Sequence, residues 1–264
     1  MTQTNFVRIE KGVELAAMAY ADSDVFEAAV LHTVPEQVTE SRLWSPAAGP
    51  NQGYVVCTPT RVIIGLKGTD FLDEQSMWQN IRTRAVTRNR LHEGYVDGVD
   101  ELRDRGLIDY VREKQSEKWR TLIIVGHSAG GGLADVMAGE LWEMRRESLK
   151  ANQVVTVAAP MTAKGALWPA LQQRRFSGDR HRYTRIAAVS DPVPWLPLRS
   201  MGWRHAYPAR YLNRHNDRLR NPMLTYMLYD GLLNRLQTRK MLKAGGIAHT
   251  VEQYSYKLAN RMEV

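Results

Sequence analysis

Cysteine is nearly absent from this sequence of 264 residues, which contains only Cys57. A single cysteine cannot form an internal disulfide, so the sequence carries no sign of folding in an oxidising compartment. Cys57 lies in an apolar run, and we interpret it as a small buried hydrophobic residue rather than a reactive thiol.

Long hydrophobic runs are absent as well. No apolar stretch approaches the roughly 20 residues that a membrane-spanning helix needs. The N-terminal segment lacks the order of basic end, apolar core and small-residue cleavage site that is typical of a secretory signal. We therefore expect a cytoplasmic protein, or one exported by a signal-independent route.

The sequence also lacks internal repeats, low-complexity tracts, linkers and breaks in composition, which favours a single domain over residues 1–264. Its His, Cys, Asp and Glu residues show no spacing typical of metal ligands, so we expect no metal. No motif indicates a cofactor.

Basic residues outnumber acidic ones, 36 to 28, giving a formal net charge of +8. Such a balance favours contact with an anionic surface. Because Lys and Arg are spread along the chain without a nucleic-acid motif, we expect no nucleic-acid partner. A solvated basic surface is the simplest interpretation, and peripheral contact with an anionic membrane remains open.

Apolar runs of strand length alternate with segments of helical periodicity, which is typical of a mostly parallel, doubly wound α/β sheet. Residues 33–52 are polar and are predicted to be mostly connection. The predicted strands cover 54–58, 61–67, 122–125, 153–158, 183–189 and 204–212. The predicted helices cover 13–20, 96–115, 132–149, 161–174 and 221–243, and a last helix runs through 258.

The stretch 121–134 reads TLIIVGHSAGGGLA and holds the most informative motif. A buried strand, the sequence G-x-S-x-G and a helix follow one another, which is the setting of a nucleophile elbow. Glycine-rich turns of this kind also bind phosphate, but the Lys-Ser/Thr pair and the G-x-G-x-x-G spacing of such sites are missing. We predict that Ser128 is a catalytic nucleophile.

Two further residues complete a predicted triad. Asp191 follows the strand 183–189, and His249 lies late in the chain after a double glycine. The order Ser, Asp, His is the one expected for an α/β-hydrolase, with the carboxylate orienting the imidazole that accepts the hydroxyl proton. A plain strand-ending turn at Asp191, and His205 in place of His249, are the alternatives; His205 falls within a predicted strand, which favours a structural role.

An oxyanion hole needs two N–H donors near the nucleophile. The residue after the serine, Ala129, is predicted to supply one. Thr69, which follows Gly68 at the end of a predicted strand, is predicted to supply the other.

Together these residues resemble the class 3 lipases, the fungal-lipase-like branch of the α/β-hydrolases. The resemblance extends over most of the chain and rests on the following segments: residues 63–69, the sequence HEGY at 92–95, GHSAGGGLA at 126–134, DPVPWLP at 191–197 and the late His249. The segment 71–91 occupies the position of the family's mobile lid. Lys67 and Ala129 stand where arginine and leucine are common, and the helix-like insert 221–243 is unlike compact secreted members.

The resemblance implies hydrolysis of lipid acyl esters, as by a triacylglycerol lipase or a phospholipase A1, through an acyl-enzyme. A catalytically silent hydrolase fold that serves as a membrane-binding or scaffold protein is the alternative. The apolar residues of 71–91 and the basic end of 221–243 favour contact with a lipid surface.

Overall fold

A sheet of eight strands forms the centre of the molecule, with strand order β1-β2-β3-β4-β5-β7-β9-β10. The computed structural model describes residues 7–34, 36–44, 51–68, 90–116, 120–143, 149, 151–177, 182–212, 218–220 and 250–259. The strands of this sheet are β1 Glu40–Trp44, β2 Gly53–Cys57, β3 Arg61–Leu66, β4 Thr121–His127, β5 Gln153–Val157, β7 Tyr183–Ala188, β9 Ala209–Leu212 and β10 Arg218–Arg220. A separate antiparallel pair joins β6 Ala163–Lys164 to β8 Trp203–Arg204.

The middle of the sheet is parallel. Strands β3, β4, β5, β7 and β9 run in one direction, and β1, β2 and β10 add antiparallel edges. In register, Ile63 lies beside Ile123, and Val125 beside Val155. Because these strands are parallel, the residues that follow them gather at one edge of the sheet.

Helices cover both faces of the sheet, as their apolar stripes require. They are α1 Ile9–Met18, α2 Phe26–Thr33, α3 Glu93–Asp104, α4 Leu107–Ser116, α5 Ala129–Glu143, α6 Leu167–Arg175 and α7 Val251–Ala259. Successive side chains of β4 point to opposite faces, so Ile124 packs with α3, α4 and α5, while Ile123 packs with α1, α2 and α7. The doubly wound, mostly parallel sheet predicted from the sequence is confirmed.

Several predicted boundaries are wrong. The segment 33–52, predicted as connection, contains the edge strand β1, and helix α2 ends in it at Thr33. The predicted helix 96–115 is two helices, α3 and α4, separated at Gly106, whose φ is +82°. The predicted strand 204–212 begins only at Ala209, since Trp203–Arg204 pairs with β6 instead.

Other helices are shifted. Helix α1 begins at Ile9 rather than at residue 13, and α5 begins at Ala129 rather than at residue 132. Helix α6, Leu167–Arg175, lies almost wholly within the stretch 161–174 that was predicted to hold a helix. The insert 221–243 lies outside the described residues. Of the lid-like segment 71–91, only Arg90 and Leu91 are described, and Leu91 pairs with Ala163 as an isolated β-bridge.

Cys57 is a buried free thiol at the end of β2, as predicted. None of the helices that the structure describes is both long and apolar enough to cross a membrane.

Candidate active site

Ser128 occupies a one-residue turn between β4 and α5. Its φ of +57° lies in the left-handed region, which is uncommon for residues other than glycine. A Cβ atom at Gly126 would lie 2.1 Å from the carbonyl oxygen of Gly130, and one at Gly130 would lie 2.1 Å from that of Leu66. The turn therefore closes only with glycine on both sides of the serine, which is the geometry predicted for a nucleophile elbow.

Backbone hydrogen bonds hold this turn in place. The N–H of Ser128 donates to the carbonyl of Val157 at 2.9 Å, and its own carbonyl accepts from the N–H of Gly131 at 2.9 Å. Ala129 opens α5, where the first N–H groups of a helix have no partner within the helix. The backbone N–H predicted as an oxyanion donor thus belongs to the residue directly after Ser128.

The end of β3 lies against the elbow. A Cβ atom at Gly68 would lie 2.8 Å from the Cβ of Ser128 and 2.6 Å from the carbonyl oxygen of His127. Only glycine permits so close an approach. Thr69, the predicted second oxyanion donor, follows Gly68 in the chain and lies outside the described residues.

His127, the neighbour of Ser128, lies on the face of the sheet that α7 covers. Its Nδ1 is 2.7 Å from the hydroxyl of Tyr20, and its ring packs edge-on against Tyr254. These contacts fit the packing role predicted for it.

Asp191 follows β7 at the same edge of the sheet as Ser128, and its side chain is fully buried. One carboxylate oxygen accepts the backbone N–H of Val193 at 2.9 Å. The other accepts the hydroxyl of Tyr254 at 2.8 Å. A buried carboxylate with two fixed donors has a defined orientation, which a catalytic acid requires.

Tyr254 is a site residue that the sequence analysis missed. Its hydroxyl oxygen also accepts the N–H of Ala188 at 2.7 Å, so one oxygen links the end of β7 to Asp191. Burial and the charge of Asp191 raise the pKa of Tyr254 well above its ordinary value, which keeps the hydroxyl protonated and able to donate. A buried tyrosine needs a partner for its hydroxyl, but the sequence did not reveal which one.

Helix α7 begins two residues after the predicted base in the chain, and its Tyr254 contacts the predicted acid. It follows Thr250, whose hydroxyl oxygen accepts the N–H of Gln253 at 3.4 Å. His249 immediately precedes Thr250 and lies outside the described residues. The structure thus brings Ser128, Ala129 and Asp191 to one edge of the sheet and does not describe Thr69 or His249.

The family model described as Lipase (class 3) matches residues 67–201, which is slightly more than half of the chain and includes both Ser128 and Asp191. The chain belongs to the class 3 lipase family. Two curated relatives, the secreted mono- and diacylglycerol lipases A of Penicillium cyclopium and Penicillium camembertii, are each 31% identical over 96 residues. That match covers 36% of this chain and 28% of each relative's length.

Solved lipases share the fold of this chain. A mutant lipase from Penicillium cyclopium is 19% identical, covers 84% of this chain and 93% of its own, and has a TM-score of 0.63. The triacylglyceride lipase of Rhizomucor miehei is 17% identical, with 77% and 78% coverage and a TM-score of 0.63. Another neighbour is a triacylglycerol lipase in which a serine protease triad forms the catalytic centre. These structures confirm the predicted α/β-hydrolase fold.

His205, the alternative to His249, lies between β8 and β9 rather than within a strand. Its Nε2 is 2.6 Å from the carbonyl oxygen of Pro194 and 3.1 Å from a guanidinium nitrogen of Arg185. Burial and the charge of Arg185 lower the pKa of His205 well below its ordinary value. These contacts match the structural role predicted for it.

A second buried carboxylate, Asp135, lies within α5. It accepts hydrogen bonds from four side chains: the hydroxyl of Thr162, the indole N–H of Trp168 at 3.0 Å, the amide of Gln172 at 3.1 Å and the hydroxyl of Tyr183 at 2.9 Å. Burial raises the pKa of Asp135 although all four hydrogen bonds lower it. The cluster ties α5 to α6 and β7 on one face of the sheet.

Among the described residues, no group of three or more His, Cys, Asp or Glu side chains is arranged to hold a metal ion.

Proposed function

We propose that this class 3 lipase is a serine esterase that hydrolyses acyl esters of lipids through a Ser128–His249–Asp191 triad. The observation that carries the proposal is the left-handed turn of Ser128 between β4 and α5, at the same edge of the sheet as the buried, doubly hydrogen-bonded Asp191. Packing alone does not require a strained serine at that place.

In the proposed acylation step, the hydroxyl oxygen of Ser128 attacks the ester carbonyl carbon while the imidazole of His249 takes its proton. The oxyanion that forms accepts hydrogen bonds from the backbone N–H groups of Ala129 and Thr69. His249 then donates the proton to the leaving alcohol, and the acyl group stays on Ser128. Water, deprotonated by the same imidazole, then attacks the acyl carbonyl carbon. The bond to the oxygen of Ser128 breaks, that oxygen takes the proton from His249, and the fatty acid leaves.

Asp191 orients the imidazole and stabilises its cationic form in this mechanism. Tyr254 is a positioning residue because its hydroxyl holds the carboxylate of Asp191 and touches no reacting atom. The N–H of Val193 holds the other oxygen of the same carboxylate.

The substrate class is proposed from the relatives. The names of the two Penicillium enzymes describe mono- and diacylglycerol lipases, which favours acylglycerols over the phospholipids of a phospholipase A1. The same names describe secreted proteins, which supports export of this chain rather than the cytoplasmic location expected from the sequence.

The proposed substrate requires contact with a lipid surface, because acylglycerols in water form droplets or membranes rather than single dissolved molecules. Segments 71–91 and 221–243 remain the predicted contacts, on the composition of their sequences alone. An anionic membrane is the partner that their basic residues favour.

Ser128→Ala tests the proposal. Turnover of p-nitrophenyl esters and of mono-, di- and triacylglycerol emulsions should fall by about five orders of magnitude while circular dichroism and thermal unfolding stay unchanged. Ser177→Ala is the matched control, since Ser177 is exposed and its hydroxyl donates to the carbonyl oxygen of Arg174. Near wild-type turnover by Ser128→Ala would refute the esterase mechanism, and absence of turnover by the wild-type protein would favour the silent scaffold.

A further inference from the structure

A cavity of about 390 Å³ lies between β7, β9, α6 and the segment 193–208. Ligand sites commonly have volumes of roughly 300–1,000 Å³. Three arginines line the cavity, Arg185, Arg199 and Arg204, and none of the described residues that line it is acidic. Neither Ser128 nor Asp191 is among the described residues that line the cavity.

Arg185 is the buried member of this set, with only 4% of its surface exposed. Its guanidinium donates to the carbonyl oxygen of Tyr207 at 3.0 Å and to the hydroxyl of Tyr211 at 3.3 Å. No carboxylate of the described chain pairs with it. A buried cation that contacts only neutral groups carries a large desolvation cost, which a bound anion would offset.

The third polar contact of Arg185 is with His205 and differs from the other two, because it offers no acceptor. Nε2 of His205 lies 2.6 Å from the carbonyl oxygen of Pro194 and 3.1 Å from Nη1 of Arg185. The short contact to an oxygen acceptor requires a proton on Nε2, because two lone pairs would repel each other there. A protonated Nε2 cannot accept from Arg185, so the guanidinium retains N–H groups without an acceptor in the described structure.

Arg204 and Arg199 bring further charge to the cavity. Arg204 is partly buried, and its Nη1 donates to the carbonyl oxygens of Trp203 and Arg199 at 2.7 and 2.8 Å, which holds the guanidinium against the cavity wall. Arg199 is exposed. The cavity lining therefore carries three cations, the buried Arg185, the hydrogen-bonded Arg204 and the exposed Arg199.

We propose that this cavity binds the phosphate group of a phosphomonoester. Guanidinium groups match phosphate oxygens in geometry, often through paired hydrogen bonds. A phosphomonoester carries a charge of about −1.5 to −2 at pH 7, which balances three guanidinium groups better than the single charge of a carboxylate. Trp195 and Trp203 supply apolar wall beside the charges, which suits a phosphate attached to an organic group.

The first experiment measures binding of inorganic phosphate and of glycerol phosphate to the whole protein by calorimetry and thermal unfolding at constant ionic strength. Chloride and acetate are the comparison anions. Phosphate should raise the unfolding temperature when neither chloride nor acetate does, and Arg204→Gln should weaken phosphate binding about tenfold, as expected for the loss of a charge-assisted hydrogen bond.

Arg174→Gln is the matched control, since Arg174 is exposed on α6 and does not line the cavity. It should bind phosphate as the wild type does. Arg185→Gln should abolish binding, and if that variant does not fold, Arg199→Gln and Arg204→Gln still test the site. Equal effects of phosphate and chloride, or an equal loss in Arg174→Gln and Arg204→Gln, would overturn the proposal.

A second experiment identifies the source of the phosphate. The protein is pelleted with phosphatidylcholine vesicles that contain either phosphatidic acid, a phosphomonoester lipid, or phosphatidylserine adjusted to equal surface charge. Preference for phosphatidic acid that disappears in Arg204→Gln assigns the site to a lipid head group. Equal pelleting with both vesicles, together with Arg204-dependent binding of glycerol phosphate, assigns it to a soluble phosphomonoester.

Discussion

Asp135 and Asp191 are both almost completely buried, yet the regions that surround them differ. Asp135 lies in the middle of α5, where four side-chain donors from one face of the sheet surround its carboxylate. Asp191 lies at the carboxyl edge of the sheet, where one backbone N–H and the hydroxyl of Tyr254 hold it. Burial alone therefore does not distinguish a candidate catalytic carboxylate in this fold, and the proposal for Asp191 depends on its place at the strand ends.

The comparison separates stability from activity. Removing Asp135 leaves buried donors without an acceptor and should weaken the fold, whereas altering Asp191 should disable the proposed chemistry. Substitutions at the two positions test this division.

Of the substitutions that test this comparison, Asp191→Asn should have the largest effect. An amide cannot stabilise the imidazolium and favours the wrong tautomer of the base, so kcat should fall by about 10³- to 10⁴-fold. Ester hydrolysis under saturating substrate gives the value, with the exposed Asp104→Asn as the control. A decrease of less than tenfold would show that Asp191 only ends a strand.

Asp135→Ala should act on stability instead. Loss of a buried acceptor that serves four donors should lower the free energy of unfolding by about 3–5 kcal/mol. Urea unfolding measures this change, and Asp135→Asn should show a smaller one because its amide oxygen still accepts. Activity per folded molecule should stay at the wild-type value, and a specific loss of kcat would contradict the division between the two carboxylates.

Tyr254→Phe should reduce kcat about tenfold and leave KM unchanged, because one hydrogen bond to the carboxylate of Asp191 is lost while substrate contacts remain. Tyr256→Phe is the control on the same helix, where Tyr256 is 61% exposed. An equal decrease in both variants, or a change confined to KM, would show that Tyr254 only supports packing.

The smallest effect concerns the pH dependence of stability. Burial raises the native pKa of Asp135 above the ordinary value of 3.8, so the native state binds this proton more tightly than the unfolded chain. The contribution of Asp135 to the free energy of unfolding should therefore fall as the pH rises from 3.8 through the raised native pKa. The unfolding free energy of the wild type minus that of Asp135→Asn, followed across this range, should decrease with pH, and an increase would contradict the prediction.

The core of the fold was predictable because its strands are apolar on both faces. Strands such as β4 and β5, buried along nearly their whole length, stand out from their β-branched runs. The edge strand β1 was missed because most of its residues are exposed and polar, which gives it no such pattern. The break between α3 and α4 was missed because an isolated glycine is also tolerated inside a helix.

The candidate site was predictable where the local sequence carries the geometry. The turn at Ser128 needs its flanking glycines, and both can be seen in the sequence. Tyr254 and the arginines of the cavity were not predictable, because their partners are distant in the chain and depend on how β7, β9 and α7 pack. Tyr254 contacts Asp191 across 63 residues, and Arg185 contacts Tyr211 across 26.

Because Tyr254 lies late in the chain, the proposed catalytic site is completed late in synthesis. During synthesis, Ser128 and Asp191 leave the ribosome well before α7, which packs against α1 and carries the hydroxyl that fixes the acid. A chain that has emerged only as far as β9 has its nucleophile but not the group that orients its acid. In the proposed mechanism such a chain also lacks His249, so ester hydrolysis should begin only after α7 has emerged and docked.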